Sequence, residues 1–155
     1  MFRLIIVALF FLPVTGFSQL YINKTKSQVK QELSKSFLKK DSASANITET
    51  DSTIVLEIRG TGIRDADHIY GFDRSGKCST EKTITWCESC HEGLLQQVLA
   101  EKKYNWKKIN MNQYVSGFSE SLFIEVQVND DEYSFTILKF SLSKEMYDVL
   151  LEKNN

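Results

Sequence analysis

An α+β domain, built on an antiparallel sheet with helices on one face, is the fold class that the sequence predicts. Several segments alternate apolar and polar side chains, which is typical of half-buried strands. Short polar turns join these segments, and tight turns join antiparallel strands. Segments with apolar residues at helical spacing precede the first group of strands, separate the two groups and follow the second group. The predicted order is α-βββ-α-(β)ββ-α, and its two similar halves indicate a two-fold internal repeat.

Residues 1–18 have the composition of a secretory signal peptide. Arg3 precedes an apolar run, residues 4–12, which is too short to span a bilayer as a helix. Pro13 ends this run. Two small residues then precede the predicted cleavage site: Gly16 lies three positions before it and Ser18 lies one position before it. We therefore expect export, to the periplasm or out of the cell, after cleavage before Gln19.

The remainder, residues 19–155, is long enough for a single domain, and it contains no transmembrane segment by length and hydropathy. After the cut the chain has 18 basic and 20 acidic residues, so its net charge is 18 − 20 = −2. Nucleic-acid binding requires a basic face, so we expect no nucleic-acid partner. An exported protein meets an oxidising compartment, where cysteine pairs persist.

The first half of this domain begins with a helix and continues with three strands. Thr25 and Gln28 form a capping box, and the apolar stripe behind it is Val29, Leu33 and Phe37. Residues 42–52 are polar and predict a loop. Thr53–Arg59 alternates and predicts a strand. Strands at 68–72 and 77–86 follow, joined by a tight turn with Gly76 at its end.

The second half repeats this plan. A helix follows the third strand, with two alternative capping boxes that begin at Thr85 and Ser89; its buried face is Leu94, Leu95, Val98 and Leu99. Residues 104–114 are poorly patterned and hold at most a short strand. Residues 120–128 and 133–140 predict a hairpin whose inward side chains are Leu122, Ile124, Val126 and Val128. A helix at 143–153 closes the chain.

One stretch carries recognisable chemistry. Cys87, Cys90 and His91 match the pattern of a c-type haem site, in which two cysteines form thioether bonds and the histidine ligates the iron. On a helix that begins at Thr85, these three side chains share one face. The second iron ligand would come from His68, Met111 or Met146. The predicted strands around the motif argue against haem c, because small c-type cytochromes are mostly helical.

A thioredoxin-like redox pair is the second interpretation. Trp86 and Cys87 follow a strand and precede a helix, and backbone N–H groups at a helix start stabilise a thiolate. Thioredoxin-like proteins place a cis-proline opposite their cysteines, whereas Pro13 is the only proline of this sequence and lies in the signal peptide.

The third interpretation is a structural disulfide between Cys87 and Cys90. A cross-link to Cys78 would close a longer loop, worth about 2.7–2.9 kcal/mol against about 1.9 kcal/mol for the short loop. The distance excludes a cross-link to Cys78, because the two ends of a strand from Cys78 to Trp86 lie about 26 Å apart. A disulfide requires Cα atoms within about 7 Å. We therefore expect Cys78 to be buried and unpaired.

Two stretches and the end of the signal carry a resemblance to known proteins. Residues 21–29, Tyr-Ile-Asn-Lys-Thr-Lys-Ser-Gln-Val, and residues 72–78, Phe-Asp-Arg-Ser-Gly-Lys-Cys, are similar to uncharacterised small exported proteins of Bacteroidetes-type bacteria. The layout resembles modules related to the outer-membrane assembly lipoprotein BamE and to the β-lactamase-inhibitor protein. This resemblance implies a binding or assembly role, and it brings no catalytic residues.

These observations together predict a small exported binding or envelope-assembly module without enzymatic activity, a resident cofactor or a metal, whose partner is a protein or another envelope component. The alternative function is a mono-haem c-type electron carrier attached through Cys87, Cys90 and His91. Thiol–disulfide activity of Cys87 and Cys90 is a further alternative.

Signal cleavage is directly testable. Because Gly16 and Ser18 meet the small-residue requirement of signal peptidase, mass analysis of the exported product should show an N-terminus at or within a residue or two of Gln19. An exported product that retains Met1 would contradict the assignment.

Overall fold

A computed structural model describes residues 20–37, 44–60 and 65–152, so the predicted signal peptide lies outside the described residues. Three helices are present in this part of the chain: α1 (Lys26–Phe37), α2 (Glu88–Leu99) and α3 (Lys144–Glu152). The strands are β1 (Ser44–Glu49), β2 (Thr53–Arg59), β3 (Ala66–Phe72), β4 (Cys78–Thr85), β5 (Lys107–Asn110), β6 (Gln113–Val115), β7 (Leu122–Asn129) and β8 (Glu132–Lys139). A short 3-10 turn, Lys102–Tyr104, follows α2.

All eight strands form one antiparallel sheet in the order β1-β2-β3-β4-β8-β7-β6-β5. Strands β1–β4 are one meander and β5–β8 are the other, and each meander follows a helix. The meanders join through the antiparallel pair β4–β8, so exchanging the halves reproduces the strand order. This confirms the predicted α+β class and the layout of two similar halves.

Helices α1 and α2 pack on the same face of the sheet. Val29 and Leu33 of α1 contact inward side chains of β2, and Leu95 and Val98 of α2 contact those of β7 and β8. The third helix differs, because Tyr147 of α3 packs with Val115 and Phe123, which point to the opposite face. The expected placement of helices on one face therefore holds for α1 and α2, and α3 covers one end of the other face.

Two regions that lacked a clear pattern form additional strands. The predicted loop at 42–52 contains β1, in which Ala45 and Ile47 pair with Ile58 and Leu56. Two apolar residues among polar ones are only a weak sequence signal for a strand. Residues 44–49 form one because they pair with the neighbouring strand β2. Residues 104–114 hold most of two strands, β5 and β6, instead of the one short strand expected.

The hydrophobic core is divided into two main clusters by polar side chains on β4. One cluster lies under α1 and the other under α2. Between them, the inward positions of β4 are Glu81, Thr83 and Thr85, all buried. Thr83 also hydrogen-bonds the Nδ1 atom of the neighbouring His68 at 3.1 Å. This polar strip is the reason that the helices pack as separate units.

The segment before α1 crosses this strip and is held by Glu81. The backbone N–H groups of Tyr21 and Ile22 donate to the Glu81 carboxyl. Leu20 joins the cluster under α2, whereas Tyr21 packs on the cluster under α1. Burial raises the pKa of Glu81 to about 7, although the two N–H donors favour its charged form.

The buried alternation of β2 generates a stability prediction. Leu56 is fully buried between α1 and the sheet, so Leu56→Ala should lower the free energy of unfolding by about 2–5 kcal/mol in a denaturant titration. Val128→Ala is the control, because this side chain is 59% exposed, and its loss should stay within about 0.5 kcal/mol. Equal losses for both variants would show that the face assignment of β2 is wrong.

The raised pKa of Glu81 generates a second prediction. A carboxyl whose folded pKa lies above its unfolded value favours folding most at low pH, and this contribution is lost as pH rises from about 4.5 through about 7. Glu81→Gln keeps an oxygen for the Tyr21 N–H and removes the titration. The stability of the variant relative to the native chain should therefore increase between pH 4.5 and pH 8, by at most about 3 kcal/mol.

Comparison of the two proteins at each pH isolates Glu81 from the histidines. Burial lowers the pKa of His68 to about 4, so its own contribution changes in the opposite direction, with stability lost as pH falls below about 6.5. Both proteins share that effect. A stability difference that is constant across the pH range would contradict the assignment to Glu81.

Candidate functional site

The cysteine stretch begins α2 directly after strand β4. Cys87 is the N-cap, with extended backbone, and its sulfur accepts the Cys90 N–H at 3.3 Å. Neither predicted capping box is used, because Thr85 is still paired in the sheet and Ser89 is already inside the helix. The Thr85 hydroxyl instead donates to the Cys87 carbonyl at 3.3 Å, which ties the helix start to the sheet.

Cys87 and Cys90 lie at disulfide-bonding distance. Their Cα atoms are 5.2 Å apart and their sulfur atoms are 2.12 Å apart. The two sulfurs differ in environment, because Cys90 is 5% exposed and Cys87 is half-buried. The Ser89 hydroxyl lies 3.3 Å from the Cys87 sulfur. The pair is therefore accessible from the side of Cys87.

Cys78 is a free thiol, buried at the far end of β4. This confirms the prediction from strand length, since the whole of β4 separates Cys78 from the pair. Burial raises the pKa of the Cys78 thiol to about 12, and the nearby Glu81 adds to this shift. Cys78 is therefore unreactive in the folded protein.

The bond between Cys87 and Cys90 contributes less to the stability of the fold than a cross-link that closes a longer loop would. It closes a single helical turn, and loop-closure entropy assigns about 1.9 kcal/mol to a loop of this size. The turn is also held without the bond, since the Cys87 carbonyl accepts the His91 N–H at 3.0 Å. Breaking the bond would therefore leave the sheet and most of α2 in place.

His91 lies next to the pair and faces the sheet. It is 5% exposed, and its ring centroid lies 5.7 Å from that of Phe135 and 6.1 Å from that of Tyr133. Burial lowers the pKa of His91, against the opposing effect of a hydrogen bond with the Ser134 backbone. Its Nε2 atom has no hydrogen-bond partner among the described residues. A buried polar atom without a partner is uncommon and requires an explanation.

A cleft of about 520 Å³ opens beside His91, between α2 and the sheet. The helix contributes Glu88, His91, Glu92, Leu95 and Gln96. The strands contribute Tyr114, Val128 and Tyr133. Val128, which the alternation placed on the inward face of its strand, is 59% exposed and lines this cleft. The volume is within the range of ligand pockets.

The two carboxylates give the cleft a negative side. Glu88 and Glu92 are both exposed, and neither forms an ion pair with another described residue. Among the described residues, no Lys or Arg lines the cleft. The aromatic rings of Tyr114 and Tyr133 line the side formed by the sheet. This combination suits a ligand with both a positive charge and apolar surface.

The covalent haem interpretation does not fit this arrangement. The two sulfurs are placed for a disulfide, and a covalent haem would use both of them for thioether bonds, so the two interpretations exclude each other. The proposed second iron ligands are not gathered around His91. Met146 is on α3, which packs on the opposite face, and Met111 is 85% exposed on the turn between β5 and β6.

His68, the remaining candidate for that ligand, is buried on β3. Its Nδ1 atom is engaged by Thr83. Its side chain is therefore held within the sheet and away from His91.

Sequence reasoning missed the residues that line the cleft beyond His91. Glu88, Glu92 and Gln96 recur at intervals of four on α2, and this polar row beside Leu95 is a signal that the sequence contains. Tyr133 had no such signal. It reaches the cleft only because β8 pairs with β4 and lies under α2.

Comparison with protein-family models, with curated protein sequences and with solved structures gave no significant match. None of the described helices is long and apolar enough to cross a membrane. Within the described ranges, no group of three or more His, Cys, Asp or Glu side chains is placed to hold a metal ion. The class that fold and site define is thus an α+β domain with a cysteine pair and an adjacent cleft.

The thiol count tests the site. With the Cys87–Cys90 bond formed, the intact mass should be two hydrogens below that of the all-thiol chain, and one thiol, Cys78, should react after denaturation without reductant. Before denaturation it should react slowly, since its sulfur is buried.

The same sample distinguishes the haem alternative. Expression in a periplasm that contains the c-type maturation machinery should give a colourless protein. A Soret band with a covalent adduct that survives denaturation would contradict the disulfide, and three free thiols would contradict both interpretations.

Proposed function

We propose that the chain is an exported binding module, acting on a protein partner of the cell envelope or its surroundings through the cleft between α2 and the sheet. The observation that carries the proposal is the cleft itself, together with the unpartnered Nε2 atom of His91 at its side. A concave site with a few polar groups on an apolar lining is the common form of a binding site.

The fold supports such a role because hydrogen bonds and packing hold both walls of the cleft in place. One wall is α2, whose start is tied to β4 by Thr85 and whose inner face packs on the sheet. The other wall is formed by β7 and β8, which pair along their whole length. A site whose walls are already in place costs little conformational entropy when a ligand binds.

The chemistry of the lining indicates a basic, partly apolar peptide segment as the ligand. Glu88 and Glu92 attract a lysine or arginine side chain, and Tyr133 offers an aromatic surface to a neighbouring aliphatic group. The lowered pKa of His91 keeps its ring neutral at pH 7, so it does not repel a cation.

Peptide titration tests the proposal. The probes are two peptides of equal length, one alternating lysine with leucine and the other alternating glutamate with leucine. The lysine peptide should bind, and its affinity should fall with added salt. The variant with Glu88→Gln and Glu92→Gln should bind it about five- to tenfold more weakly, as expected for two partly exposed ion pairs.

The matched control carries Glu145→Gln and Glu152→Gln on α3. It has the same change in net charge, but both residues are exposed on a helix that packs on the opposite face. Its affinity should equal that of the native chain. Equal binding of both peptides, or an equal loss in the control, would overturn the assignment of the cleft.

A further inference from the structure

We propose that Cys87 and Cys90 form an exchange-active disulfide, which accepts electrons from dithiol polypeptides and returns to the bonded state by the reverse exchange with a disulfide. This goes beyond the binding role and does not depend on the identity of the ligand of the cleft. Three features of the structure support it: the unequal exposure of the two cysteines, the donors around Cys87, and a cleft lined by the residues that directly follow both cysteines.

The unequal exposure decides which sulfur reacts. Cys87 is half-buried at the end of the sheet, whereas Cys90 is 5% exposed on the inner side of the first turn of α2. An incoming thiolate therefore attacks the Cys87 sulfur, and Cys90 is the leaving group. A single point of attack is what a directional exchange requires.

Hydrogen-bond donors around Cys87 stabilise its sulfur as a thiolate. As the N-cap, Cys87 receives the Cys90 N–H at 3.3 Å, at the end of a helix where backbone N–H groups lack internal partners. The Ser89 hydroxyl oxygen also lies 3.3 Å from the Cys87 sulfur, and its proton can rotate toward that sulfur. These are the surroundings in which cysteines become reactive.

The room for a substrate is the cleft. Glu88 and His91, which follow Cys87 and Cys90 directly in the chain, both line it. Neither cysteine itself lines the cleft, so a polypeptide segment that lies in it meets the residue that follows each cysteine. His91 also contributes to the lining, but its Nε2 atom is buried and has no partner among the described residues.

The exchange balances without any further cofactor. A thiolate of the substrate attacks the Cys87 sulfur, the bond between Cys87 and Cys90 breaks, and Cys90 leaves as a thiolate that takes up a proton. The substrate is then joined to Cys87 by a mixed disulfide. Its second thiolate attacks its own bonded sulfur, which completes the substrate disulfide and releases the Cys87 thiolate. Two electrons pass from the dithiol, which is oxidised, to the cysteine pair, which is reduced.

Trapping of the mixed disulfide tests the proposal. Cys90→Ser and Cys87→Ser each leave one cysteine of the pair, and both retain the buried Cys78. Reduced samples are mixed with glutathione disulfide, and adduct formation is followed by intact mass, with its position located by peptide mapping. Cys90→Ser should form the adduct at Cys87 at least about tenfold faster than Cys87→Ser forms one at Cys90. Equal rates would overturn the proposal.

The native chain provides the second measurement. Its cysteine pair should open in reduced glutathione and close again in glutathione disulfide, with the same far-ultraviolet circular dichroism in both states. A bond that stays closed in a glutathione buffer as reducing as the cytosol would identify a structural disulfide and overturn the proposal. Loss of the helical signal on opening would do the same, because a reversible exchange requires both states to be folded.

Discussion

The buried carboxyl of Glu81 is the interaction on which the arrangement of the core depends. It accepts the backbone N–H groups of Tyr21 and Ile22, and this holds the segment before α1 across the middle of the sheet. Removing a carboxyl from water is costly, and the raised pKa of Glu81 shows that burial outweighs the two donors. The same segment contributes apolar side chains to both hydrophobic clusters, which offsets this cost.

This arrangement explains why one sheet carries two helix units. The inward side chains of β4 are polar, so no continuous hydrophobic surface runs from α1 to α2. Each helix packs on its own meander, and the units are joined by the hydrogen bonds between β4 and β8 and by the segment held at Glu81. The same division puts the start of α2 at the end of β4, on the boundary between the two halves.

The geometry of the candidate site follows from the position of the start of α2 at the boundary between the two halves. Thr85 is fully buried and paired on both sides, so the chain leaves the sheet in a fixed direction, and Cys87 then caps the helix. The start of α2 holds Cys90 and His91 against the sheet and leaves Cys87 the more exposed cysteine of the pair. Neither the cleft nor the cysteine pair requires a moving part, so binding and exchange are both compatible with one conformation of the backbone.

The sequence alone determined the elements whose information is local. Alternation identified β2 and the β7–β8 hairpin, helical spacing identified all three helices, and strand length separated Cys78 from the other cysteines. Each of these depends on residues within a few positions of one another.

Tertiary structure decided what depends on distant partners. Strand β1 exists because β2 pairs with it, and Cys87 instead of Thr85 or Ser89 caps α2 because Thr85 is held in the sheet. Burial of Glu81 and the cleft beside His91 both arise from segments far apart in the chain. Local patterns cannot contain these features, because the free energy of a pairing or a buried charge depends on groups that only the folded chain brings together.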